Sequence, residues 1–356
     1  MSNYHFINTA PSKRIDQKIL YISSDKYIDL SLPLLDKEKS KDRKAFFSEI
    51  ADAWLKWTKP RLKLSSKNKY EYITNCHLLP EFGSFFIEDI SRSHVIAFRD
   101  TLLICKENNS KKTLSPGTIS GILSVLKNIF RFASDELNLK VIDISGITVK
   151  ATQKPLQILS ASEQHILSDY LFANYSSTHL GILISLYMGL RLGEVCALQW
   201  QDVSFADQTI FVRQTMQRLR SDEDPTTRTK VIISEPKSGR SVRHVPIPDK
   251  LMDLFWVLNK EEGAFVLSGK KEKVVEPRTM QNRFKSILRK CGIRDINYHA
   301  LRHTFATRSV EVGCDVKSLS EILGHASVGI TLNRYVHPSM KIKKEQINRV
   351  SDLFSD

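Results

Sequence analysis

Between His299 and Tyr335 the chain gathers groups able to handle a phosphate ester. His299, Arg302 and His303 stand at i, i+3 and i+4, so a helix places them on one side. Leu323-Gly324-His325 follows, and a polar run from Ser327 ends in Asn333-Arg334-Tyr335. Imidazoles that carry protons, a guanidinium for phosphate oxygens and a phenol as nucleophile are what is needed to break a phosphodiester without a metal. A second guanidinium, Arg191, lies far upstream in Met188-Gly189-Leu190-Arg191-Leu192-Gly193-Glu194, where Glu194 is spaced to pair with it or with a nearby histidine.

Each of these residues also has an ordinary reading. His299 and His303 share the HxxxH spacing of a zinc-protease helix, but Ala300 stands where that mechanism requires a glutamate. Standing alone, Arg191 with Glu194 is a structural ion pair, and Tyr335 is half-buried packing. Lys237, in Glu235-Pro236-Lys237-Ser238-Gly239-Arg240, is a lysine beside a turn, ordinarily a solvated charge.

The 356 residues suffice for two to three domains, and 41% hydrophobic composition reads as globular. The 53 Lys and Arg against 39 Asp and Glu leave a formal charge of +14, which favours a polyanionic partner, most simply DNA or RNA. No twenty-residue apolar run is present to anchor the chain in a membrane. Five scattered cysteines without a CxxC pair suggest neither zinc nor a redox dithiol and fit a reducing cytosol.

The elements that must position these groups are mostly helical. Residues 1–42 form an N-terminal arm of unknown fold, with a β-like run Lys18–Ile22, read either as a flexible arm or as an accessory DNA-contacting module. Over 43–140 the spacing predicts four helices: one from Ala45 carrying Phe46, Ile50, Trp54 and Trp57, one capped by Ser66, one opening at Ser93, and one from Ser115-Pro116 with Ile119, Ile122, Leu126, Ile129 and Phe130 on one face. Residues 141–157 read as an extended linker. Ser160-Ala-Ser-Glu163 is a capping box that opens a second domain over 158–338. Within that domain, strands at Thr209–Val212, Val231–Ser234 and Val242–Ile247 are expected, the last two joined as a hairpin through Ser238-Gly239. Residues 339–356 form a C-terminal helix with Ile347, Val350 and Phe354 on an apolar face that has no obvious home.

Taken in order, these segments resemble the tyrosine recombinases, the phage-integrase family, from about Ala45 to the end. The resemblance implies a mostly α fold with a small β-sheet or hairpin: a four-helix, SAM-like core-binding domain and an α/β tyrosine-recombinase catalytic domain. It also implies six catalytic positions, Arg191, Lys237, His299, Arg302, His325 and Tyr335, with Glu194 and His303 in support. Arg191 and Arg302 would hold the phosphate with help from His325, Tyr335 would attack, His299 would take or orient its proton, and Lys237 would protonate the leaving 5′-hydroxyl. His303 is read as a structural histidine beside the site. Lys230 and Arg240 are lesser candidates for the lysine role, Tyr298 and Tyr187 are decoys for the nucleophile, and His337 is flanking sequence. No metal or cofactor is expected.

Three departures from the family pattern stand out: Met188 before Gly-x-Arg, Ser238 after Pro-Lys, and a long polar insert before Val231. The partners implied are double-stranded DNA, other copies of the chain in a tetramer joined through the C-terminal helix, and accessory directionality or bending factors, all in the cytoplasm. A type IB topoisomerase and a catalytically silent DNA-binding regulator are the competing readings.

Overall fold

The computed structural model describes residues 21–23, 26–28, 44–104, 114–150, 155–220, 229–236, 239–336, 340–352 and 354. It divides into two compact units, Met1–Gln153 and Lys154–Asp356, and the division falls inside the stretch read as a linker. Among the described residues no helix is long and apolar enough to cross a membrane.

In the first unit, Tyr21–Ser23 (β1) and Lys26–Ile28 (β2) form a short antiparallel pair, with Tyr21 opposite Ile28. The α-helices that follow among the described residues are α1 Phe47–Thr58, α2 Leu64–Ile73, the single turn α3 Leu79–Phe82, α4 Arg92–Ile104 and α5 Pro116–Asp135. The start of α5 follows from local chemistry. Ser115 is extended, its hydroxyl accepts from the Thr118 N–H, and Pro116 supplies a preset φ where no N–H is needed.

The start of α2 differs from expectation. Lys63, not Ser66, is the extended N-cap residue, because the first helical bond is already closed from Lys67 N–H to the Lys63 carbonyl. Phe47 is the centre of this unit, its ring 5.7 Å from Phe82 and 6.5 Å from Phe130, while Phe82 meets Phe98 edge-on at 5.1 Å. Aromatic contacts therefore tie α1, α3, α4 and α5 to one core.

The second unit begins with α6, Ala161–Ala173, under the reciprocal Ser160–Glu163 box. Next is α7, Ser177–Met188, buried on every side from Leu180 to Leu186, as a helix without a polar face must be. It ends at Gly189, whose φ of +70° is the left-handed stop that glycine adopts without strain. α8, Leu192–Ala197, follows at once.

The strands are Val203–Ser204 (β3), Thr209–Val212 (β4), Thr215–Arg220 (β5), Thr229–Ser234 (β6) and Arg243–Pro246 (β7). They form two sheets, β3-β4-β7 and β5-β6, all antiparallel. This corrects the expected hairpin between 231–234 and 242–247. β6 pairs with β5, Val231 opposite Arg218, whereas β7 pairs with β4, Val245 opposite Ile210. The reason is burial: Val245 and Ile210 fill one side of the core together, which pairing with the half-exposed β6 would not achieve.

Helices complete the unit: α9 Asp249–Leu258, α10 Pro277–Lys290, α11 His299–Glu311, α12 Val316–Leu323, α13 Val328–Tyr335 and α14 Met340–Asp352. α12 stops at Gly324, φ +63°, a second left-handed turn.

Candidate active site

Five elements of the second unit converge on one open cleft. It is lined by Arg191 at the start of α8, Ser241 before β7, His299 and Arg302 on α11, Gly324 and His325 after α12, and Arg334 and Tyr335 at the end of α13.

Arg302 is only 2% exposed. Its Nη1 donates to the Gly189 carbonyl and its Nη2 to the Leu323 carbonyl, each at 2.7 Å. These are the residues at the two left-handed turns or next to them, where helix-end carbonyls lack intrahelical donors. Burial, then the neighbouring Arg191 charge, lowers its pKa to about 9, so it remains a cation at neutral pH.

Arg191 donates from Nη2 to the Gly324 carbonyl at 3.0 Å and from Nη1 to Glu194 Oε1 at 2.8 Å. Its backbone N–H is held by Glu194 Oε2 at 2.9 Å. Glu194 is 3% exposed and has another cation: Arg243 Nη2 meets its Oε2 at 3.1 Å. Burial pushes the Glu194 carboxyl up, but Arg243 and Arg191 together outweigh it and hold the group below the ordinary carboxylate range.

Tyr335 is buried, and burial raises its pKa against the opposing pull of Arg302, Arg334 and Arg191. Its hydroxyl lies 2.8 Å from Nδ1 of His303. The expectation paired the phenol with His299 and left His303 beside the site, whereas His303 is the histidine hydrogen-bonded to it. His299 stands edge-on to His303, ring centres 4.5 Å apart. His325 is bonded through Nδ1 to Thr331 Oγ1 at 2.8 Å and lies parallel to the Tyr335 ring at 6.3 Å.

All three imidazoles are neutral at pH 7. Burial is the first cause for each, followed for His299 and His325 by the Arg302 charge, which takes them to about 4, and for His303 by His299, which takes it to about 3. Neutral imidazoles beside the Arg191, Arg302 and Arg334 guanidiniums suit an anion and retain bases able to accept a proton.

Lys237 lies outside the described residues, as do Ser238 and His337. Lys230 sits on β6 opposite Leu219, and Arg240 donates from Nη1 to the Ala326 carbonyl at 2.7 Å. The decoy tyrosines are away from the cleft. Tyr298 is fully buried, donates to the Gly181 carbonyl at 2.9 Å, and has its pKa raised by burial; the Tyr187 hydroxyl meets Ser168.

Two residues of this site were not singled out by sequence. Arg243 has a signal in hindsight: it is two residues from the core-facing Val245 on β7, so alternation turns it inward and demands a buried acid. Arg334 reaches Nε2 of His303 at 3.5 Å, and nothing in its local pattern announces that contact.

Comparisons with known proteins follow the same division. Residues 152–341 match the model of the phage integrase family, and residues 46–103 match that of the phage integrase N-terminal SAM-like domain. A tyrosine recombinase XerC-like protein of Caldanaerobacter subterraneus subsp. tengcongensis is 28% identical over 264 residues, 67% of this chain and 67% of that protein. The ICEBs1 integrase of Bacillus subtilis is 23% identical over 89% of this chain and 86% of its own length. In fold, the chain is similar to the Tn1549 transposon integrase solved with transposon right end DNA, with a TM-score of 0.69 and 21% identity, covering 85% of this chain and 99% of that one. It is also similar to a lambda integrase tetramer solved on a Holliday junction, with a TM-score of 0.59 and 16% identity, covering 84% and 80%. With the first of these family models spanning more than half its length, the chain belongs to the phage integrase family of tyrosine recombinases, enzymes that cleave and rejoin DNA.

Proposed function

We propose that this chain is a site-specific DNA recombinase that integrates or excises a mobile element through a 3′-phosphotyrosyl intermediate on Tyr335. The observation that carries the assignment is the Tyr335 hydroxyl, placed in one cleft with Arg191, Arg302 and His325. Arg191 and Arg302 hold the non-bridging oxygens of the scissile phosphate, where paired N–H donors are strongest, and His325 adds a further donor. The phenol oxygen attacks phosphorus as its proton passes to His299, a bond forms from tyrosine to the 3′ phosphate, and the bond to the 5′ oxygen breaks. Lys237 protonates that leaving oxygen. The ester keeps the energy of the broken bond, so a 5′-hydroxyl from another strand reverses the step without ATP.

The integrase reading draws on the ICEBs1 integrase and on the Tn1549 transposon integrase, whose solved complexes contain transposon right end or circular intermediate DNA. Assembly as a tetramer through α14 is supported by its exposed Ile347 and Val350, with Phe354 exposed just beyond its end, together with the tetrameric state of the solved lambda integrase. The formal charge of +14 suits a duplex as substrate and a binding constant that falls steeply with salt; the proposed DNA substrate is what places the chain in the cytoplasm. Directionality or bending factors would then decide between integration and excision. Residues 1–42 are proposed as an arm, 43–140 as the core-binding domain, 141–157 as the linker, 158–338 as the catalytic domain and 339–356 as the docking segment.

The test uses nicked suicide duplexes bearing candidate element ends, without metal or ATP. A protein–DNA adduct that vanishes in Tyr335→Phe is the expected result. Tight binding without any adduct would overturn the reading in favour of a silent regulator, and cleavage without sequence preference would favour a topoisomerase.

A further inference from the structure

Two consecutive residues of α13 engage the two ring nitrogens of one histidine. Tyr335 places its hydroxyl 2.8 Å from His303 Nδ1, and Arg334 places Nη2 at 3.5 Å from His303 Nε2. A guanidinium has only donors, so the nitrogen facing it must present a lone pair. A neutral imidazole with its lone pair on Nε2 carries its proton on Nδ1. The phenol oxygen is then the acceptor of the His303–Tyr335 bond. The opposite tautomer would turn an N–H towards the N–H of Arg334, and a doubly protonated ring would do the same. Burial, then His299 and Arg334, pushes the His303 pKa down to about 3, which agrees with a neutral ring.

We infer that Arg334 is a positioning residue that fixes His303 in its Nδ1–H tautomer, so that His303 serves Tyr335 as a hydrogen-bond donor rather than as its base. The inference deepens the function proposed above and rests on Tyr335 as the nucleophile. Its chemical content is a division of labour between adjacent histidines. The phenol's own proton leaves for another acceptor, the role given to His299, while the His303 N–H remains on the oxygen as negative charge develops there. A donor already in place for a developing oxyanion needs no reorganisation during reaction. Only the phenol O–H bond breaks in that transfer; His303 keeps its proton throughout.

Two experiments test this independently. The first needs no DNA: the full chain is labelled with nitrogen-15 histidine, and the His303 signals are identified by their loss in His303→Asn. The Nδ1–H tautomer is expected in the wild type, with a shift towards Nε2–H in Arg334→Met. An Nε2–H ring in the wild type, or a tautomer unchanged by Arg334→Met, overturns the inference whatever the protein does to DNA.

The second measures single-turnover cleavage of a nicked duplex carrying the element end found in the adduct assay. Asparagine keeps an N–H donor near the Nδ1 position but has no basicity, so His303→Asn is expected to lose roughly tenfold and His303→Leu about a hundredfold. Equal losses in the two would identify His303 as the base and overturn the inference. Arg334→Met should slow the wild type yet add little in the His303→Asn background, where no tautomer remains to be set. Equal harm in both backgrounds would mean that Arg334 acts on the DNA directly, which also overturns it.

Discussion

Arg243 and Glu194 form an ion pair at 3.1 Å in which neither side chain is more than 7% exposed. The carboxylate is shared with Arg191, so the pair braces the more exposed arginine of the cleft through an acid that solvent barely reaches. Removing one partner leaves a buried charge uncompensated. Glu194→Gln is expected to cost about 3–5 kcal/mol in urea denaturation at pH 7. The folded-state pKa of Glu194 lies below its unfolded value, so this stability is present above the unfolded carboxylate pKa and is lost as pH falls through the folded one. The gap between wild type and Glu194→Gln should therefore close on acidification, and a gap independent of pH would count against the ion-pair account.

The three histidines in and behind the cleft give an opposite kind of group the same direction of pH dependence. Their folded-state pKa values, about 4 for His299 and His325 and about 3 for His303, lie below the ordinary 6.5. The unfolded chain therefore binds protons first, and stability is full above 6.5 and declines as pH falls towards 4. His325→Gln should flatten that decline in denaturation midpoints taken between pH 4 and 7.

Arg302 cannot be exchanged for another cation. Lysine lacks the planar fork that reaches the Gly189 and Leu323 carbonyls at once while still lining the cleft. Arg302→Lys is expected to reduce single-turnover cleavage by about 10²–10³ at saturating DNA. A loss confined to DNA affinity would instead make Arg302 a binding residue.

Gly189 is fixed by shape as well as by backbone. A methyl group there would stand 2.5 Å from Phe305 Cδ1 and 2.9 Å from Leu323 Cδ2, at a φ of +70°. Gly189→Ala should cost about 2–4 kcal/mol from left-handed strain plus overpacking, measured by urea denaturation. An alanine variant as stable as wild type would show that the turn relaxes.

What was legible in the sequence was local. Ser115-Pro116 and Ser160–Glu163 mark helix starts through contacts three residues long, and the i, i+3, i+4 spacing places His299, Arg302 and His303 on one helix whatever surrounds it. Strand partners were not legible, because β7 chooses between β4 and β6 by which side of Val245 is buried, a property of the folded core. For the same reason the hydrogen bond between His303 and Tyr335 was hidden: it depends on α13 returning across thirty-two residues to α11. The double attachment of Glu194 was half visible, through Arg191 three residues away, and half invisible, through Arg243 on a strand forty-nine residues on.

The stop at the end of α12 does more than end a helix. Its successive carbonyls, Leu323 and Gly324, receive Arg302 and Arg191 respectively, so a single peptide unit sets the spacing of the two cations. That turn is a gauge block: two adjacent carbonyls of one backbone repeat receive the two guanidiniums, so neither is set without the other. Inserting or deleting a residue there would not shift one guanidinium and spare the other, but would put both out of calibration together.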